Sequence, residues 1–517
     1  MHIFSRNKKI GILDSYLLQN SLRVHVLSIA NLQEINDQYF VREKSFRKIY
    51  YYCKEIGIKN TLLKVLSRSR EKIRNKKYFS MGIGKIIQST SALFQPEQTI
   101  YFIATNHPAC PERIVIHEKL AFLANAIDYS WLSEKNIVWL EKLNSEKKFS
   151  ELLAWSPYSG IPISDSTITS ILGDIKQFWK SISLEKSNII PLYKKTSVSE
   201  TKSPKNKLAT KTAKNAVLFG YGNYAKTIIL PNLHKKIIVS TIHEIDPTQL
   251  LPMRKNIIYD SSPYLRQNLK HDVYFVAGYH HTHVDIAIAG LQSGADVVVE
   301  KPLITSQKEL EKLISVMRQS SSRLYACFQR RYHQFNDYVY HDFKLKRGDP
   351  ISYYAIIYEE SLPQLHWYHW PNSRSAIISN GCHWVDHFLF LNNFSAVLTS
   401  SVQKTKNGEI IIVVELINGA TLSLTLSHTG SARIGMQEYV ELRSGENTAK
   451  ISNGNNYHAE NSSRIIRRSK INKYESYKKM YHLISKNIIE KNGPPLNDSW
   501  EQVERVSSLI LSLDKEV

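Results

Sequence analysis

The sequence predicts an α/β domain built on a parallel sheet, followed by an α+β domain with a large, mostly antiparallel sheet. A further mixed α/β domain precedes both. Residues 216–328 alternate short apolar, β-branched runs with helical stretches, the pattern of βαβ units. Residues 351–442 read as successive strands with turns at Asn407-Gly408 and Asn418-Gly419, as hairpins of an antiparallel sheet do. Between them and the N-terminal half, Tyr193 to Asn215 shifts to Lys, Ser and Thr with Pro204, which marks a linker. The expected division is a basic N-terminal domain at 1–192, a linker at 193–214, the parallel-sheet domain at 215–332 and the α+β domain at 333–517.

Length and composition agree, since 517 residues exceed one ordinary core and 42% hydrophobic content is that of a globular chain. The first residues, MHIFSRNKKIGILDSY, lack the apolar core of a signal peptide, and no apolar run approaches the ~20 residues that span a bilayer. Cys53, Cys110, Cys327 and Cys382 are far apart, with neither a disulfide framework nor a Cys-x-x-Cys metal site. A cytoplasmic protein without a metal centre is expected. Of the net charge of +22, residues 1–214 carry +16, and Arg42–Lys85 holds 14 basic against 3 acidic residues. That stretch is either a solvated helical face or a docking surface for an anionic partner or membrane surface. It matches no nucleic-acid motif, so no specific nucleic acid is expected.

Taken in order, Ile10–Leu13 and Leu22–Ile29 alternate as short strands, and residues 41–75 have helical spacing broken at Gly57. A Gly-containing segment, Tyr78 to Ile87, leads to a strand at Thr99–Ala104, a polar turn at Thr105–Pro108 and a strand at Arg113–Ile116. Residues 128–185 return to helical spacing. Past the linker, a strand at Ala216–Phe219 enters Gly220-Tyr221-Gly222-Asn223-Tyr224-Ala225 and a helix from Ala225 to Leu233. This is G-x-G-x-x-A in the strand–turn–helix setting that lets backbone amides approach a pyrophosphate. The next strand, Ile237–Ile242, ends at His243-Glu244, with Glu244 24 residues beyond Gly220. A carboxylate there suits the ribose hydroxyls and favours NAD, while Arg254 and Lys255 keep NADP open.

Asp272–Pro302 is the stretch around which the chain is organised. Val273–Ala277 is a buried strand, Thr282 an N-cap candidate for the helix Val284–Gln292, Gly294 its stop, and Val297–Val299 a second buried strand. The last strand runs into Glu300-Lys301-Pro302, an acid, an amine and a rigid turn where open parallel sheets keep their ligands. From spacing alone this is a solvated turn or a site. A helix at Ser306–Met317 and a strand at Leu324–Phe328, ending in Gln329-Arg330-Arg331, complete five strands. Beyond them, strands at Ile351–Glu359, Val402–Thr405, Ile410–Ile417, Thr421–Ser427 and Met436–Leu442 are interrupted by a helix at about Gly381–Leu391 and closed by one at Ser499–Leu513.

Together GYGNYA, HEID, VAGYHHTH, VVVEKP, FQRRYHQF and NGCHWVDHF, in this order, resemble the Gfo/Idh/MocA oxidoreductases over residues 215–517. The resemblance implies a Rossmann domain binding NAD or NADP and a sugar or nucleotide-sugar substrate. It implies cofactor contacts at Gly220, Gly222, Asn223, Tyr224, Ala225, Glu244, Gly278, His283, Glu300 and Gln329. Lys301 would lie between nicotinamide and substrate, with a cis peptide before Pro302. His383 would transfer the proton, titrating near neutral pH. Asp386, one turn on, would orient His383, help close the helix start or meet substrate, and Arg374 would meet substrate. One of Arg330 and Arg331 would be structural. Two departures stand out: Ser379 replaces the family's first aspartate, and Arg374–Ile378 lacks the usual glycines.

The N-terminal half resembles, more faintly, the GroES-like part of medium-chain dehydrogenases, without a zinc-binding set around His107 and Cys110; an unrelated helical domain is the alternative. The expected function is an NAD(P)-dependent oxidoreductase, homo-oligomeric, in polysaccharide or glycoconjugate synthesis. The rival is a non-catalytic NAD(P)- or sugar-binding sensor.

Overall fold

A computed structural model describes residues 21–35, 77–107, 113–123, 213–244, 257–260, 270–360, 375–430, 436–490 and 496–516, with single helical positions at 50, 53, 58, 61 and 62. Arg254, Lys255, Arg374, Ile10–Leu13, residues 128–185, most of the linker and most of the basic stretch lie outside the described residues.

In the N-terminal part, β1 (Ser21–Ile35), β2 (Lys77–Ser89), β3 (Thr99–His107), β4 (Arg113–His117) and β5 (Ala121–Leu123) make an antiparallel sheet in the order β4-β1-β2-β3-β5. Leu22, Val24 and Val26 bury against Ile86, Ile100, Phe102 and Ile114. The Gly-containing segment is the central strand β2, and its glycines have a steric reason. A Cβ at Gly84 would meet Val24 Cγ1 at 2.3 Å and the His25 carbonyl at 2.5 Å, so β1 lies too close for a side chain. The turn expected from Thr105 is also corrected: β3 continues to His107, held by pairing with Tyr78.

The second sheet is parallel, in the order β11-β10-β9-β6-β7-β8. Its strands are β6 (Lys214–Phe219), β7 (Ile237–His243), β8 (Ile258–Asp260), β9 (Val273–Val276), β10 (Asp296–Glu300) and β11 (Leu324–Cys327). Five strands were expected; β8 is the sixth, a three-residue edge strand too short for a hydrophobic run to announce. The helices are α1 (residues 223–232, with a π-helical turn over Ala225–Ile229), α2 (His283–Gln292) and α3 (Gln307–Gln319). Gly294, at φ +81°, stops α2 as expected. Thr282 occupies the N-cap of α2, but its hydroxyl donates to the Tyr279 carbonyl at 2.8 Å instead of accepting from the helix. Ser306 does cap α3, accepting from the Glu309 amide.

After α4 (Gln334–Phe343), the chain builds an eight-stranded sheet ordered β13-β14-β15-β12-β16-β17-β18-β19. Its members are β12 (Ser352–Glu360), β13 (Val397–Lys404), β14 (Ile410–Leu416), β15 (Thr421–Gly430), β16 (Gln437–Ser444), β17 (Asn447–Ser452), β18 (Asn456–Glu460) and β19 (Ile465–Lys470). All pairs are antiparallel except β12 with β15. The inner face holds Tyr353, Ala355, Ile357, Ile412, Val414, Leu422 and Leu424, all buried. Packed on it are α5 (Cys382–Leu391), entered through a π-helical turn at Ile377–Gly381, and α7 (Trp500–Lys515), which opens with a Ser499–Gln502 capping box. Three strands, β17 to β19, and the helix α6 (Glu475–Glu490) were not anticipated. Helix α6 returns to the parallel sheet, where Met480, Tyr481, Ile484 and Ile488 bury against Leu218, Ile242 and Phe275.

Candidate active site

The carboxyl ends of the parallel strands meet the first turn of α5 and the end of β12, and the polar residues gather there. On the β6 side, Gly220 has φ +90° and a Cβ on it would lie 2.3 Å from the Ala277 carbonyl, so no other residue fits this turn. The Gly220 amide donates to the His243 carbonyl at 2.8 Å, and the Tyr221 amide to Glu244 Oε2 at 2.6 Å. Glu244 is therefore buried against the glycine turn, beside the loop it was expected to serve. A Cβ on Gly222 would meet nothing within 4 Å; the space above the loop is open. Asn223, Tyr224 and Ala225 begin α1 below it.

At the end of β10, the Lys301–Pro302 peptide is cis, as expected. Lys301 Nζ donates to the Ser379 carbonyl at 2.9 Å, linking the strand end to the turn before α5. Glu300 faces away from that contact. Its carboxylate accepts from the Tyr481 hydroxyl of α6 and from the Lys301 amide at 3.3 Å. Burial raises the Glu300 pKa, opposed by Tyr481 and Lys301. His283, buried at the start of α2, reaches Pro302 O with Nδ1 at 2.8 Å and Gly278 O with Nε2 at 3.2 Å. Burial lowers its pKa, so a neutral ring has one hydrogen to give and the shorter contact takes it. The imidazole thus ties the start of α2 to the lysine turn.

His383 is buried on the first turn of α5, edge-on to Phe328, and its Nδ1 has no hydrogen-bond partner among the described residues. Burial, then the charges of Lys301 and Arg330, hold its pKa well below the usual range. The expectation that it titrates near neutral pH is corrected: the ring is neutral at pH 7 because it is dry and flanked by cations. Asp386 does not join it. Fully buried, its carboxylate takes Arg331 Nε at 3.1 and 3.0 Å, and Arg331 also binds Asp498. Arg330 pairs with Glu438 and lies 4.5 Å over the Trp384 ring. Both arginines, not one, are engaged in structural ion pairs.

Several residues at this place were missed. Glu359, near the end of β12, has a side chain 17% exposed; its Oε2 is 3.7 Å from His428 Nδ1 on β15 and its Oε1 is buried without a hydrogen-bond partner among the described residues. Burial pushes its carboxyl up to about 7, against the pull of Lys301. Tyr477 and Tyr481 of α6 pack edge-on against Tyr224. The alternation of β12 places Glu359 on the inner face, but its neighbourhood depends on the parallel pairing with β15, which sequence does not announce. Gln329, one of the expected cofactor contacts, is buried after β11 and also keeps an unpartnered Oε1 among the described residues. The left-handed turn, the open space over Gly222 and the unused Gln329 oxygen fit a dinucleotide lying across the strand ends.

Residues 214–328 match the family model described as the oxidoreductase family (GFO_IDH_MocA) with NAD-binding Rossmann fold. Among solved structures, the chain is similar to a dehydrogenase from Chromobacterium violaceum, at 16% identity over 59% of this chain and 95% of that chain, with TM-score 0.49. It is similar to KijD10, a 3-ketoreductase from Actinomadura kijaniata in complex with NADP and TDP-benzene, at 15% identity over 59% and 98% of the two chains, with TM-score 0.49. For the WlbA dehydrogenase from Bordetella pertussis, in complex with NADH and UDP-GlcNAcA, the values are 16%, 59%, 96% and 0.48.

Proposed function

We propose that the protein is an NAD(P)-dependent oxidoreductase, a reading supported by the match of residues 214–328 to the family model of the oxidoreductase family with NAD-binding Rossmann fold. It moves a hydride between nicotinamide and a secondary alcohol carbon of a sugar or nucleotide sugar, in polysaccharide or glycoconjugate synthesis. The observation that carries this reading is the position of Lys301, whose ammonium is held at the end of β10 by the Ser379 carbonyl, between the glycine-loop side of the sheet and His383. The bound cofactor supplies the hydride chemistry. Lys301 donates to the substrate oxygen and steadies developing negative charge there. Neutral His383 offers a ring nitrogen to a substrate hydroxyl. Glu244, beside the glycine turn, supports a preference for NAD.

The test is direct. NADH fluorescence should change on binding, and Gly222→Arg, filling the open space, should abolish the change; an unaltered signal in the variant removes the cofactor site from this loop. Turnover on a panel of UDP- and dTDP-hexoses should fall ~10²–10⁴-fold in Lys301→Ala. Equal turnover in the two proteins refutes the assignment of Lys301.

The sensor reading draws on one observation: the amine meets a carbonyl at Ser379 where a carboxylate would have offered charge. NADH binding without turnover on any panel member would favour it. A homodimer is part of the proposal, supported by the outer face of the eight-stranded sheet, where Val413, Ser423 and Tyr354 align in one cross-strand row and Ile356 pairs with Tyr439. Val413, Tyr354, Ile356 and Tyr439 are each exposed. Sedimentation equilibrium at monomer mass would exclude it.

A further inference from the structure

Alcohol oxidation releases a proton as well as a hydride, and that proton needs an acceptor whose charge can change at working pH. Lys301 is a donor, and His383 is held neutral by burial and two cations. Asp386 is locked to Arg331, Glu438 to Arg330, and Glu300 to Tyr481. Glu359 differs from these acids. The buried positions 353, 355 and 357 alternate along β12, so 359 belongs to the same inner face. On β15, positions 422, 424 and 426 do likewise, but Ser427 is buried as well and the pairing with β12 shifts register between Tyr358 and Glu360, so His428 lies at an irregularity beside Glu359. Because β12 and β15 are parallel, their carboxyl ends coincide, bringing the two side chains to 3.7 Å. The groups facing Glu359 among the described residues are His428 from β15 and Lys301 from the β10 turn. On β16, the other neighbour of β12, the nearest acid is the Arg330-bound Glu438.

We propose that Glu359 is the proton-carrying carboxyl of the substrate site, acting beside Lys301. This rests on the oxidoreductase reading above. In oxidation, the C–H bond yields a hydride to nicotinamide, the O–H bond yields its proton to the Glu359 carboxylate, and the C=O bond forms. In reduction, the carboxylic acid returns the proton to the carbonyl oxygen as the hydride arrives.

The experiment compares wild type, Glu359→Gln and Glu359→Asp. Glu359→Gln should bind NADH unchanged, lose ~10²-fold or more in kcat on the nucleotide-sugar panel, and lose the rise in oxidation rate through pH 7. Glu359→Asp should restore part of the rate with the pH dependence. Turnover and pH profile equal to wild type in Glu359→Gln overturn the assignment while leaving the oxidoreductase reading intact. Absence of wild-type turnover overturns that reading instead. A measurement independent of substrate accompanies them: the Tm of Glu359→Gln should gain on wild type as pH rises from 5 to 8, because ionising the buried carboxyl costs the wild-type fold stability. A Tm difference that does not change with pH overturns the assignment.

Discussion

The parallel and the eight-stranded sheets bury their strands in different ways. In the parallel sheet helices cover both faces, so β9 and β11 are buried at every position and read in sequence as unbroken apolar runs. The eight-stranded sheet has helices on one face; β14 alternates buried with partly or fully exposed residues, and β13 is largely exposed. Charge separates them as well. The acids near the glycine turn and Lys301 are tied down by Tyr221, Tyr481 and backbone amides, whereas Glu359 at the end of β12 keeps one oxygen without a partner among the described residues. The first sheet holds a fixed frame for a cofactor, and the second presents the group able to change charge.

This contrast can be broken or sharpened by substitution. The largest effect is expected at Arg331, shared by Asp386 and Asp498. Arg331→Ala leaves two buried carboxylates uncompensated and should cost about 3–5 kcal/mol in urea denaturation; a loss below 1 kcal/mol would mean water reaches the pair. In the parallel sheet, Phe275→Ala removes a ring 1% exposed and should cost about 3–4 kcal/mol. The equivalent operation on the open face, Val413→Thr, should stay within about 0.5 kcal/mol for the monomer; a larger loss that scales with protein concentration would place that face in an interface. Between these lies the cap of α3: Ser306→Ala should cost about 1 kcal/mol, visible as a shift of a few degrees or less in Tm.

Acid sensitivity should also divide by region. His383 and His387 are buried and held below their usual pKa, chiefly by burial. A histidine depressed in the fold stabilises it above its unfolded pKa, near 6.5, and that stability is lost as pH falls below it. Tm should therefore drop between pH 7 and pH 5, and His387→Gln should flatten the drop. An unchanged slope would show that His387 is not held neutral.

Much of this was legible in the chain. The glycine turn, the VVVEKP strand end and the helix around His383 were each found to within a few residues, because local sterics and burial on both faces leave local marks. What escaped did so for physical reasons. β17 to β19 carry NTAKIS, NYHAE and IIRRSK, polar sequences with too little apolar alternation to stand out. The role of α6 could not be read, since its tyrosines meet Tyr224 and Glu300 across some 180 to 250 residues of chain. Asp386 was misread for the opposite reason: a local i, i+3 relation to His383 was given weight that Arg331, 55 residues away, overrides.

That same arginine bears on how the molecule can move. Its guanidinium joins the exit of β11, the first turn of α5 and the residue before the α7 cap, all in buried surroundings. Swinging the two sheets apart about a hinge would mean pulling charges from each other inside a dry interior, a far larger cost than bending a surface segment. The shared arginine therefore acts as an electrostatic latch between the end of the parallel sheet and the helices packed on the other sheet.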